Sequence, residues 1–248
     1  MRAWAMLAAV AAVALAGCQG EAGKAPADRP EPEAIRAEAP PPLTQADAFR
    51  LAFGAASPFR RMTTDPEVGP QEMTYTPAAL IELGEIRVLV SKGQNAADCH
   101  LCTGALAVHY LKPDAGAWKV VAGSMEMLPG SGFGMPPEIA VRRDLGPAPV
   151  LVAEAGWTGQ GYTCTTVDLV ELGPEAPVVL VEDLLIHTDN RGVVGDEGPV
   201  EETNATIAGS AAGEIVVTHK GHRNGRLTYA RRGPKLMPAS GDTGLNEC

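Results

Sequence analysis

The sequence predicts an all-β protein, an antiparallel meander of successive hairpins with one short N-terminal helix. Three observations predict it. Apolar residues recur at the two-residue period of a strand, as in Ile86, Val88 and Val90, in Leu106, Val108 and Tyr110, in Val150 and Val152, and in Val167 and Leu169. Between such runs lie turn-forming stretches of similar chemistry: "ELGEI" from Glu82, "KPDAGAW" from Lys112, "DLGPAPV" from Asp144, "ELGPEAPVV" from Glu171, "SAAGEI" from Ser210 and "RRGPKL" from Arg231. Helix signals, by contrast, occur in a single short segment. A meander of this kind can pair as a sandwich, close as a barrel or repeat as an irregular propeller-like array, and the uneven spacing of the turns disfavours a regular propeller.

In chain order, residues 1–17 come first. They hold a positive start at Arg2 and an apolar run to Ala16, too short to cross a bilayer as a helix, which needs about 20 apolar residues. That is the pattern of an export signal. It closes in Leu15-Ala16-Gly17-Cys18, which resembles the lipobox of bacterial lipoproteins. The resemblance covers this segment alone. It implies cleavage before Cys18, diacylglycerol on the Cys18 sulfur and a further acyl chain on the new amino terminus, hence a palmitate-type lipid anchor. Several acyl chains hold a protein stably on a membrane where one does not. In such lipoproteins an aspartate after the cysteine favours the inner membrane; Gln19 implies the outer membrane, facing the periplasm.

Residues 18–42 are rich in Pro, Ala and Glu, with Pro26, Pro30, Pro32 and Pro40 to Pro42. They bury too little apolar area to offset the entropy of ordering and read as a tether. Residues 43–240 form one β-rich domain, and 241–248 a polar tail. At its start, Thr44 with Asp47 three residues on makes a capping arrangement ahead of Ala48, Phe49, Ala52 and Phe53, so a helix is expected from Gln45 to about Ala55, stopped by Ser57-Pro58.

Without Arg2 the exported chain carries 19 basic against 30 acidic side chains, a net charge of −11, which disfavours nucleic acid as a partner. The charge is segregated. Residues 182–202 are acidic, whereas 215–241 hold Lys220, Arg223, Arg226, Arg231, Arg232 and Lys235 and no acid. Either the two segments compensate each other, or the basic one meets anionic lipid or a cell-wall polymer.

The short motif "DCHLC" places Cys99, His100 and Cys102 together. In an oxidising compartment, disulfides are the first expectation for Cys99, Cys102, Cys164 and Cys248. A local Cys99–Cys102 staple is preferred, with Cys164 either paired to Cys248 or buried and free; otherwise Cys99 or Cys102 reaches Cys164 across the sheet and closes a longer loop. The alternatives are a zinc or copper site at Cys99, His100 and Cys102, for which Cys164, His109 or His219 with His222 would have to complete the ligand shell, and thiol redox chemistry. The latter lacks the helix N-terminus that lowers a thiol pKa, since a strand follows Cys102. The acidic run could also hold calcium, though the spaced D-x-D-x-D-G pattern of a calcium loop is missing; no other cofactor is expected.

No motif of a nucleophile elbow, metalloprotease or nucleotide loop is present, so no catalytic residue is named. Two glycine-rich stretches, "LPGSGFGMPPE" from Leu128 and "AGWTGQGYT" from Ala155, read as loops, the first a long flexible connection. On one rim of a β-structure they would offer Ser131, Phe133, Trp157 and Gln160 as a recognition surface. Trp118 and Trp157 are otherwise expected as core anchors or loop plugs, and His109 as a satisfied structural histidine. The functional expectation is a lipid-anchored envelope protein that binds or scaffolds an envelope protein or polymer. The alternatives are the metal or redox protein and a hydrolase sited in the glycine-rich loops.

Overall fold

The hairpin turns read from the sequence each join neighbouring antiparallel strands, and together they build two sheets. In a computed structural model, residues 40–65, 68–97, 99–195 and 198–242 are described. Cys18, the export segment, nearly all of the tether, and Cys248 lie outside them. The first sheet has the order β1-β2-β3-β4-β5: β1 Phe59–Asp65, β2 Gly69–Leu83, β3 Ile86–Asn95, β4 Ala105–Asp114 and β5 Ala117–Pro129. The second runs from β6 to β13 in sequence order: β6 Glu138–Arg142, β7 Val150–Gly159, β8 Tyr162–Leu172, β9 Pro177–Asp189, β10 Thr203–Gly209, β11 Ile215–Gly221, β12 Gly225–Arg232 and β13 Lys235–Asp242. Strand β13 thus carries order to Asp242, past the expected domain edge at 240.

Helix α1, Gln45–Phe53, starts where the capping residues place it: Thr44 Oγ1 accepts the Asp47 N–H at 3.1 Å. It ends at Gly54, whose positive φ of 68° is the left-handed cap that glycine adopts without strain. A second helical turn, α2 Arg191–Val194, adds to the single helix expected.

Three apolar clusters hold these elements. Between the sheets, Ile81, Val88, Val90, Leu106, Val108 and Tyr110 meet Leu151, Ala153, Val170 and Leu172. On the opposite face of the first sheet, α1 buries Ala48 and Phe49 against Met73, Tyr75, Leu89, Ala107 and Leu111. Each fully buried Leu or Phe there is worth about 1.5–3 kcal/mol of transfer free energy. Proline in the central strand β2 is accommodated at a register shift between Pro77 and Ala79, where a missing ladder N–H is tolerated.

The second sheet curls into a half-barrel. Strand β9 shifts register against β8 at three places, and Asp183 takes a positive φ of 51° within it. It then pairs with β10 through only Thr188↔Thr203 and His187↔Asn204. The curl brings Tyr229 of β12 and Leu236 of β13 onto Leu180 and Val181 of β9 in the third cluster. Lys235 pairs with Glu182 at 3.3 Å, so the acidic and basic segments compensate in part, while Arg231 pairs at 2.6 Å with Glu171, outside the acidic segment. Lys220, Arg223, Arg226 and Arg232 form no ion pair among the described residues.

Candidate functional site

Cys99 and Cys102 are disulfide-bonded, with Cα atoms 5.1 Å apart, closing a turn in which the Cys102 N–H reaches the Cys99 carbonyl at 3.1 Å. A metal centre using both thiolates cannot coexist with that bond. Among the described residues no group of three His, Cys, Asp or Glu could hold a metal ion. No helix begins at Cys102, so the dipole that would activate a thiolate is missing there. Cys164, also disulfide-bonded, has its partner outside the described residues, so it is not the free thiol that was one expectation.

The connection from Gly130 to Pro137 is docked rather than loose, contrary to the flexible connection expected. Phe133 N–H donates to the Cys99 carbonyl and Gly134 N–H to the Cys102 carbonyl, at 3.2 and 2.6 Å, while Asn95 N–H donates to Gly134 O at 2.9 Å. A Cβ on Gly134 would sit 2.2 Å from the Asn95 carbonyl oxygen, and Gly134 has a φ of 71°, so only glycine permits this approach. His100 packs on Phe133 with ring centroids 4.3 Å apart and the rings tilted by 54°. Ser131 Oγ accepts the Gly156 N–H at 2.8 Å, fastening the connection to β7.

The second glycine-rich stretch is a hairpin rather than a loop. Trp157 lies within β7 opposite Cys164, and the chain reverses through Gln160 and Gly161, both with positive φ, as two-residue hairpin turns require. Gly161 packs on Gly192 of α2 so closely that a Cβ on Gly161 would lie 2.5 Å from the Gly192 carbonyl carbon. This contact sets the tip against α2. Asn190 then cinches the β9–β10 connection, its Oδ1 accepting the Glu201 N–H at 2.7 Å.

Between the hairpin tip, the 190–202 connection and the β11–β12 turn opens a cleft of about 580 Å³, within the range of small-molecule sites. Its floor is a cross-strand row of Cys164, Thr188 and Thr203. Trp157 and Tyr162 stand beside it, 49% and 48% exposed. Gln160, Asp189, Glu201, His222 and Arg223 complete the polar lining. Trp157 is therefore a cleft residue and not the core anchor expected. Trp118 packs on the first sheet, with its Nε1 donating to Pro41 O at 2.9 Å.

The cleft's charges are held in place. Arg191 N–H donates to Asp189 Oδ1 at 3.1 Å, and this bond holds the Asp189 carboxyl below the usual carboxylate range, with burial opposing and His187 assisting. His187 Nε2 lies 3.2 Å from Asp189 Oδ2 and its Nδ1 2.8 Å from Asn204 Oδ1. Glu201 approaches His222 at 3.5 Å. Arg223 gives its backbone N–H to Thr203 Oγ1 at 3.0 Å and leaves its exposed guanidinium free of ion pairs among the described residues.

Of the recognition residues expected from sequence, Trp157 and Gln160 line the cleft, whereas Ser131 and Phe133 belong to the adjoining docked connection. Tyr162, Asp189, Glu201, His222 and Arg223 were not expected there. Only strand pairing brings them together, and no local spacing announces it. Compared with protein-family models, with curated proteins and with solved structures, the chain matches none.

Proposed function

We propose that this is a lipid-anchored protein of the cell envelope whose β domain binds an envelope polymer or protein in the cleft beside Trp157, without catalysing a reaction. The observation that carries the binding reading is the pair of half-exposed aromatics, Trp157 and Tyr162, on a cleft with a fixed polar lining. Large aromatic side chains left half in water at a concave site supply contact area that a ligand can bury. The lipobox-like Leu15 to Cys18 and the Pro-rich tether support the anchoring, which would hold the cleft away from the outer membrane on its periplasmic side.

The test is co-sedimentation of the mature protein with purified cell-wall sacculi and, separately, with anionic lipid vesicles. The expected result is sedimentation with sacculi that is lost in Trp157→Ala, and acyl chains on Cys18 in the intact mass. Sedimentation of the Cys18→Ala protein, which carries no acyl chains, with anionic but not neutral vesicles, surviving Trp157→Ala, would move the function to the exposed Lys220, Arg226 and Arg232.

A further inference from the structure

We infer that the ligand of the cleft is an uncharged glycan, a chain of pyranose sugars whose ring faces lie against Trp157 and Tyr162. The inference rests on the reading of the cleft as the binding site and narrows its ligand. Three features of the lining carry it.

A pyranose presents an apolar C–H face and a rim of hydroxyls, and each hydroxyl donates and accepts at once. An exposed indole and phenol ring supply the flat apolar surface for such a face. Around them the lining mixes acceptors, the carboxylates of Asp189 and Glu201, with donors, the Gln160 amide and the Arg223 guanidinium. The Thr188 hydroxyl lies between them on the floor. A row of hydroxyls can satisfy both kinds of group.

The charges of the lining argue against a charged ligand. Asp189 is bonded to the Arg191 N–H and to His187, and Glu201 sits beside His222. An anionic ligand drawn to Arg223 would face these two carboxylates across the same cleft, and a cationic one would face Arg223. Binding therefore comes from stacking and neutral or charge-assisted hydrogen bonds, and ionic strength has little hold on it.

The backbone also suits a rigid, flat-faced ligand. Gly159 lies under the Trp157 ring, where a Cβ would be 2.5 Å from the ring carbon Cζ3, so the indole rests on bare backbone. That contact orients the ring before ligand arrives, and a pre-oriented platform loses less entropy on binding.

The experiment is isothermal titration of the mature protein in detergent with four probes: an N-acetylglucosamine tetramer, cellotetraose, an acidic dipeptide and inorganic phosphate. Each is run at low and high ionic strength, on the wild type and on Trp157→Ala, Tyr162→Ala and Asp189→Asn. The expected result is binding of at least one oligosaccharide, unchanged by salt and weakened about tenfold or more by either aromatic substitution, the loss that defines a residue anchoring an interface. Asp189→Asn, which keeps an acceptor but removes the charge, should weaken it less. Binding of the dipeptide or phosphate alone, with loss in Trp157→Ala, would overturn the glycan and leave the cleft as the site. Oligosaccharide binding that neither aromatic substitution affects would overturn both, and failure of all four probes to bind the wild type would overturn the glycan assignment. The aromatic variants fold because both side chains are half in solvent; a thermal melt of each checks this.

Discussion

The two sheets use aromatic side chains in opposite ways. In the first, Phe49, Phe53, Phe59 and Tyr75 form one contact chain under α1, with Phe49 and Phe53 stacked at 4.2 Å and Phe53 5.4 Å from Tyr75. Tyr75 hides its ring completely and spends its hydroxyl on the Met125 carbonyl at 2.9 Å. In the second sheet the inside is almost wholly aliphatic, with Val150, Val167, Leu169, Leu180, Ile215 and Val217 beside Tyr229, while Trp157 and Tyr162 stand at its open end. The difference follows from pairing. Strands β2 to β4 pair over long ladders and are covered on both faces, whereas β9 is bulged and meets β10 through two residue pairs. Where ladders run long and both faces are covered, large rings fill a core; where pairing gives out, a curled sheet leaves a mouth.

The largest effect should come from the closed side. Phe49 is fully buried and stacked, so Phe49→Ala should cost about 3–5 kcal/mol in urea unfolding, the range for removing a buried aromatic. If the cost were below 1 kcal/mol, α1 would be an appendage and not part of the core. Next comes the Cys99–Cys102 staple. Chain entropy for a loop so short gives about 2 kcal/mol, and Cys99→Ser with Cys102→Ser should lower stability by about that amount. Hydrogen exchange at the Phe133 and Gly134 amides should rise in the same variant, since both donate to carbonyls of the stapled turn. Exchange that stayed slow would show the 130–137 connection holding itself.

Much of the closed side was legible in the sequence and less of the open side. The Thr44 cap, the turns at Glu82 and Lys112 and the strand alternation of β3 and β4 are local signals, and local chemistry decides them; the four turn stretches of the second sheet were equally legible, but not the curl they build. Trp157 was legible as a candidate recognition residue from its glycine-rich stretch, but its position within a strand and its cleft partners were not. Strand β7 begins buried at Val150 and Leu151 and ends exposed, and alternation says which face a residue takes, not where along a strand the core stops. Gln160-Gly161 is a hairpin turn without the Asn-Gly or Asp-Gly that would signal one. The acidic and basic segments compensate only in part because the fold sets Glu182 beside Lys235 but gives Arg231 to Glu171, outside the acidic segment, a long-range outcome of strand order.

A smaller effect tests the closed side through pH. His109 lies on β4 with Phe53 5.0 Å away, and its Nδ1 has no partner among the described residues, so it is buried without being fully satisfied as expected. Burial pushes its pKa below the ordinary value of 6.5. The unfolded chain therefore takes up a proton near pH 6.5 that the folded one refuses until lower pH. This contribution to stability is complete above that pH and is lost as pH falls beneath it, at no more than about 1.4 kcal/mol per pH unit. Urea midpoints across this window should slope less in His109→Leu than in the wild type. Equal slopes would mean that His109 is protonated in place and that the first sheet is more hydrated than its burial implies.

The smallest stability effect, and the one that separates the two sides most sharply, belongs to Trp157. Its ring rests on Gly159 and half of it meets water, so little of the fold depends on it. Trp157→Ala should change unfolding free energy by no more than about 0.5 kcal/mol, as surface substitutions do, while removing the binding proposed for the cleft. Trp118 provides the control on the closed side. It packs on the α1 cluster, receives Arg87 at 5.4 Å over its ring and donates to Pro41, so Trp118→Ala should cost several times more. If the two tryptophans cost the same, the open end of the second sheet is as much a core as the first, and the exposed aromatics there are packing residues rather than a platform for a ligand.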